Sequence, residues 1–199
     1  NQNIMYGAYS RTASYFENSD LKAEGPPSPA ELALLEPLRG RVPEGVFGEP
    51  YGPPRSDGSG QDRALLRRAS GLLAEAGCRR DGSVLKLPSG QPLALEFLDF
   101  QTVMQPHTQP FIKNLGLLGI QATSRVVDAA QYQRRTEEFD FDLTVRRYSN
   151  SATPGEGLRQ IFGSGSAAIR GSQNLAGYAD PAIDALLDRV IAAESRAAL

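Results

Sequence analysis

The densest set of recognition groups in the sequence is Arg146-Arg147-Tyr148-Ser149-Asn150-Ser151. Arginine offers a planar fork of donors that can hold both oxygens of a carboxylate. The tyrosine ring adds an apolar face, and the serines and asparagine add neutral hydrogen-bonding groups. The run turns at Thr153-Pro154-Gly155. It leaves an alternating stretch in which Phe139, Phe141, Leu143 and Val145 interleave with Asp140, Asp142 and Thr144. That alternation predicts a strand over 139–148. In open α/β sheets ligands sit beyond the carboxyl ends of strands. A solvated loop with edge-protecting charges accounts for the same residues equally well.

Other residues carry weaker chemistry. Asp140 and Asp142 lie two apart on the expected strand, so they share a face. Paired carboxylates can do acid–base work, as in sugar hydrolysis. Polar alternation on a half-exposed strand is the commoner origin of such a pair. Cys78 and His107, each the only residue of its type, could form a thiol–imidazole pair. No third group at a recognisable spacing would orient them. Cys78 follows the helix-ending Gly77 and reads as a small packing residue. Asp57-Gly58-Ser59-Gly60 precedes a helix and could present amides to an anion. It lacks the Lys-Ser/Thr ending of a phosphate loop, and helix capping explains it.

The elements that would position these groups follow from periodicity. Residues 1–60 read as largely irregular. One short helix near 29–38 is announced by Ser28-Pro29-Ala30-Glu31, with Ser as cap, proline first and glutamate third. Ser59-Gly60-Gln61-Asp62 is a second pattern of that kind, ahead of a helix through Leu65, Leu66, Ala69, Leu72, Leu73 and Ala76 that Gly77 closes. Residues 61–199 read as an α/β core. A strand runs over 93–100. A helix carries Phe111, Ile112, Leu115 and Leu118 and ends at Gly119. A second strand covers 120–127, and Asp128 caps a helix to about residue 138. The strand over 139–148 follows, and Asp180-Pro181 opens a last helix with a stripe of Ile183, Leu186, Leu187, Val190 and Ile191. This alternation predicts strands of one sheet, mixed or parallel, with the helices around 111–118 and 183–191 packed on it.

Composition narrows the function classes. The chain has 199 residues, 40% hydrophobic and 22% charged, enough for one ordinary domain with a core. A net charge of -2 gives no basic stripe for nucleic acid. One cysteine and one histidine exclude the common zinc sites, and no cofactor is implied. No run of about eighteen apolar residues suggests a membrane span. No signal peptide is visible in residues 1–9. The abrupt Asn1-Gln2-Asn3 start and the uncapped Ala197-Ala198-Leu199 end are expected to be cut points.

The order of motifs resembles the family 5 extracellular solute-binding proteins. Leu72-Leu73-Ala74-Glu75-Ala76-Gly77, Asn114-Leu115-Gly116-Leu117-Leu118-Gly119-Ile120, Phe139-Asp140-Phe141-Asp142-Leu143 and Asn174-Leu175-Ala176-Gly177-Tyr178 carry the likeness, with Asp180-Pro181-Ala182-Ile183-Asp184 closing it. Tyr6-Gly7-Ala8-Tyr9-Ser10-Arg11-Thr12, Glu31 to Leu38, and Tyr148 to Gly155 resemble the branch that binds oligopeptides and microcin C. The resemblance implies a periplasmic-binding-protein-like (type II) α/β lobe, with residues 1–199 as the C-terminal lobe of a two-lobed protein whose first lobe is missing here. It implies no catalysis, periplasmic capture of a peptide-like solute, and an inner-membrane ABC permease as partner. It adds Asn174 to Arg146 through Ser151 as expected ligand-binding residues. Oligopeptide binders of the family often place an aspartate after the third strand for the ligand amine; Ser149 and Asn150 stand there and are uncharged. Two further readings stay open: a hydrolase or transferase using Asp140 or Asp142, and a nickel or metal-chelate carrier of the same broad family, which a single His107 disfavours.

Overall fold

Helix boundaries follow from the residues able to satisfy the backbone groups a helix leaves unpaired at its ends. In the computed structural model, which describes residues 5–148 and 153–199, α1 spans Pro29–Leu35. The Ser28 hydroxyl accepts the Glu31 N–H, and the Glu31 carboxylate accepts the Ser28 N–H at 2.7 Å, as the sequence pattern requires. Helix α2 spans Arg63–Glu75, and its cap is Asp62, which accepts from Ala64 and Leu65. Ser59, expected as that cap, instead donates its hydroxyl to Asp57 in the preceding turn. Helix α3, Gln105–Leu117, takes in two prolines, Pro106 and Pro110. Pro106 sits in the first turn, where a missing N–H costs nothing. Pro110 lies further in and forfeits one backbone bond. Helix α4, Ala129–Glu137, is capped by Asp128. A short α5, Gly157–Phe162, was not legible in the sequence; α6, Pro181–Ile191, starts at the Asp180 cap.

Three helices end in the same way. After α2, Gly77 and Cys78 donate to the carbonyls of Ala74 and Leu73; after α3, Gly119 and Ile120 donate to Gly116 and Leu115. After α4, Phe139 and Asp140 donate to Thr136 and Arg135. Each is a Schellman closure, which needs a left-handed residue at its centre. Gly77 and Gly119 supply it freely at φ of 85° and 86°, whereas Phe139 adopts φ 56°.

The sheet is parallel. Strand β3, Ala94–Asp99, lies between β4, Gln121–Val126, and β5, Leu143–Thr144, with Ala94 opposite Gln121 and Phe97 opposite Leu143. Helices α3 and α4 are the crossovers. A separate hairpin pairs β1, Arg79–Asp81, with β2, Val84–Lys86. One face of β3 sends Leu95 and Phe97 toward a core of Leu85, Leu115 and Ile120, with Leu73 and Cys78 packed against it. Phe97 meets Phe111 edge to face at 5.7 Å. Leu98 points the other way and is fully buried, worth about 1.5–3 kcal/mol on transfer from water.

The strand expected over 139–148 is reduced to two residues, and side chains do the rest of the pairing. The Asp142 carboxylate accepts the Glu96 N–H at 2.8 Å, at the position where a longer β5 would bond. The Thr144 hydroxyl donates to the Leu98 carbonyl at 2.9 Å. Phe139 and Asp140 belong to the helix end and cannot also extend a strand.

Contacts divide the chain into two compact units. The first holds Pro54–Arg146 with the start of the chain through Ser10; the second holds Arg11–Pro53 and Arg147–Leu199. Helix α6, expected on the sheet, belongs to the second unit, where Arg159 of α5 pairs with its Asp188 at 2.5 Å. Its Asp184 accepts the Ser164 N–H, and the Ser164 hydroxyl together with that N–H holds the carboxyl below its ordinary range. In the irregular 11–53 segment, Arg39 pairs with Glu36 and Glu44 and lies 3.7 Å over the Phe47 ring.

Candidate ligand-binding site

In the first unit the strands end at Asp99, Val126 and Thr144, one parallel edge. The Asp99 carboxylate accepts the N–H groups of Phe100 and Gln101 and turns the chain away there. Beyond or at the strand ends Phe100, Val103, Val126 and Val145 are exposed, Val103 to 66%. Water-facing apolar groups at one place carry a free-energy penalty that a partner can relieve. The Phe100 ring rests 4.8 Å from Tyr132, whose hydroxyl bonds the Thr144 hydroxyl at 3.0 Å and the Val145 carbonyl. The edge is therefore anchored to α4. Arg146 continues it and is exposed.

In the second unit Arg147 is exposed and Tyr148 half-buried. The Tyr148 hydroxyl donates to the Gln173 carbonyl at 2.9 Å. Its ring borders a hollow of about 880 Å³ shared with Tyr15, Phe16, Asp20 and Arg196. Arg196 grips both oxygens of Asp20 and holds its carboxyl below the ordinary range. Burial pushes the Tyr15 hydroxyl up, and the neighbouring Tyr148 phenol adds to that. Glu17 accepts the N–H groups of Ala13 and Ser14 and fixes the loop that carries these rings. Ser149, Asn150 and Ser151 lie outside the described residues.

Several sequence candidates have other work. Asn174 is 1% exposed; its amide donates to the carbonyls of Gly163 and Tyr178 and accepts the Tyr178 N–H, so its polar atoms are committed within its own unit. Asp140 pairs with Arg135 at 2.7 Å, and Arg135 also pairs with Glu96 at 2.8 Å. Asp142 holds the Glu96 N–H. Asp142 thus fastens β5 to β3 and Asp140 is held by α4, so both aspartates that the hydrolase reading would use are already paired. Cys78 packs at the core while His107 is exposed on α3, and no hydrogen bond joins them. The loop before α2 is tied by Asn114, which donates to the Gly60 carbonyl at 2.9 Å. Among the described residues no cluster of three or more His, Cys, Asp or Glu could hold a metal, and no helix is long and apolar enough to cross a membrane.

The exposed apolar edge and the Tyr15–Phe16 pair were missed in the sequence. Phe100 read there as a strand residue, because alternation marks faces and does not mark where a strand stops. The turn-forming Asp99 before Phe100 was the available signal.

No protein-family model matches the chain. It is 40% identical over 197 residues to the probable peptide-binding protein YejA of Agrobacterium fabrum, covering 98% of this chain and 32% of that protein. It is 34% identical to the peptidoglycan-binding protein YepA of the same organism, with 98% and 32% covered. The chain thus spans about a third of the length of these curated relatives. The oligopeptide-binding protein AppA of Bacillus subtilis, solved with a nonapeptide, shares the fold at a TM-score of 0.58 and 22% identity, over 66% of this chain and 26% of that one. Sequence likeness to a probable peptide-binding protein thus runs along 98% of this chain, with the fold of the oligopeptide-binding protein AppA beneath it, and both agree with the resemblance that the order of motifs carries.

Proposed function

We propose that this chain supplies the ligand-facing part of one lobe of a two-lobed periplasmic binding protein, which captures peptide-like solutes and delivers them to an ABC permease in the inner membrane. The observation that carries this reading is the exposed apolar edge of Phe100, Val103, Val126 and Val145, followed by exposed Arg146. Apolar side chains of a peptide would cover the edge, and a carboxylate would meet the arginine fork. On the motif resemblance alone, Arg147 and Tyr148, with Ser149, Asn150 and Ser151 after them in sequence, are proposed as further ligand contacts. Closure of a second lobe would shift the population toward the closed form by the difference in affinity. The names of YejA and YepA, and the nonapeptide bound to AppA, favour a peptide or peptidoglycan-derived ligand.

Mass spectrometry of solutes that co-purify with the full-length protein tests the reading, followed by calorimetry with the peptides found and with peptidoglycan peptides. Intact peptides released on denaturation are expected. Hydrolysed products accumulating with time, or no binding of any peptide, would sink it.

A further inference from the structure

The sheet edge of the first unit rests on one buried side chain. Tyr132 of α4 is 8% exposed and reaches both flanks of that edge. Its ring lies 4.8 Å from the Phe100 ring, where the chain leaves β3. Its hydroxyl lies 3.0 Å from the Thr144 hydroxyl and 3.4 Å from the Val145 carbonyl, where the chain leaves β5. Helix α4 is itself fastened, by the Asp128 cap and by Arg135 on Glu96 of β3. All of these groups lie in the same compact unit, so the arrangement holds whatever the rest of the full-length protein covers.

Counting hydrogens gives the bonds a direction. A threonine hydroxyl has one hydrogen to donate. That of Thr144 goes to the Leu98 carbonyl at 2.9 Å. Tyr132 is then the donor to Thr144, and its hydrogen is shared with the Val145 carbonyl. The relay runs from the Tyr132 hydroxyl to the Thr144 hydroxyl to the Leu98 carbonyl, and each bond in such a chain polarises the next. Strand β5 is only Leu143–Thr144, so Val145 lies past its end. The Val145 carbonyl belongs to the peptide group that leads into Arg146. The Tyr132 hydroxyl therefore holds the backbone where Arg146 departs. An arginine fork takes both oxygens of a carboxylate only from a set direction, and a fixed departure point cuts the cost of ordering it.

We infer that Tyr132, through Thr144 and the Val145 carbonyl, is a positioning residue that lets Arg146 recognise the carboxylate of a bound peptide. The inference rests on the peptide-capture reading above.

The test uses the full-length protein and a co-purifying peptide, resynthesised as the free acid and as the C-terminal amide. Calorimetry and thermal unfolding are measured for the wild type, Tyr132→Phe, Arg146→Ala and the two changes together. Tyr132→Phe keeps the ring on Phe100 and removes only the hydroxyl. Its affinity for the free acid is expected to fall about three- to tenfold, the scale of one hydrogen bond, with affinity for the amide unchanged. In the Arg146→Ala background the same change should cost nothing further, because coupled residues do not add. Thr144→Val should reproduce the loss, and Thr144→Ser, which keeps the hydroxyl, should restore the affinity. That pair decides the matter if Tyr132→Phe unfolds. Equal losses for acid and amide overturn the inference, because Tyr132 would then serve the fold alone. So do an unchanged acid affinity in Tyr132→Phe, additive effects with Arg146→Ala, and a wild type that binds acid and amide alike. A wild type that binds no peptide defeats the capture reading itself, and the inference with it.

Discussion

An arginine is available to a ligand only when its own fold does not need its charge. Arg135 is needed: it holds Glu96 and Asp140 together and its side chain is only 15% exposed. Arg125 is partly needed, through its 3.3 Å pair with Glu96. Arg147 is exposed at the point where the chain leaves the sheet unit. In the full-length protein Arg147→Ala should weaken peptide binding by about 1.5–3 kcal/mol, the loss of a charge-assisted hydrogen bond. Arg147→Lys should not fully restore it, because the planar fork is gone. Arg125→Ala should leave affinity unaltered. Calorimetry on folded variants decides this, and equal affinities for wild type and Arg147→Ala would remove the arginine from the site. Asn174 shows the opposite case: its likeness to a family loop was legible, but only the fold reveals that its amide is already spent.

At the scale of elements, the helix ends carry constraints that differ in kind. Gly119 needs both its left-handed backbone and its missing side chain, since an added Cβ would lie 2.9 Å from the Leu85 nitrogen and 3.0 Å from the Ser83 carbonyl. Gly77 needs chiefly the backbone; its nearest neighbour would be the Pro88 ring at 3.1 Å. Gly71, within α2, has open space around it. Gly71→Ala should therefore stabilise by about 0.5–1 kcal/mol. Gly77→Ala should destabilise by about 1–2 kcal/mol, the left-handed penalty alone. Gly119→Ala should destabilise more than Gly77→Ala. Chemical denaturation gives the order directly, and a Gly119→Ala variant as stable as Gly77→Ala would contradict the close approach. Both helix-ending glycines were legible in the sequence, because glycine is the usual residue for that conformation. The equivalent closure at Phe139 was not, since nothing about a phenylalanine announces a positive φ. That is why its stretch read as strand.

At the scale of the molecule, the chain covers about a third of its relatives. A cleft formed with a second lobe gains affinity by enclosing the ligand. These 199 residues alone are therefore expected to fold, yet to bind peptide far more weakly than the full-length protein. Calorimetry with the same peptide on both settles it, and equal affinities would mean that the residues here are sufficient.

The sequence by itself determined the strand–helix alternation, the caps at Ser28, Asp128 and Asp180, the closures at Gly77 and Gly119, and the likeness to solute-binding proteins. Those features rest on contacts between residues close in the chain, or on motif order. Tertiary structure alone decided that Asp142 stands in for a strand, 46 residues from its partner Glu96. It also decided that α6 joins a different unit from the sheet, and that Phe100, Val126 and Val145 emerge together at one edge. Those outcomes depend on which distant segments meet, and periodicity along the chain carries no record of that.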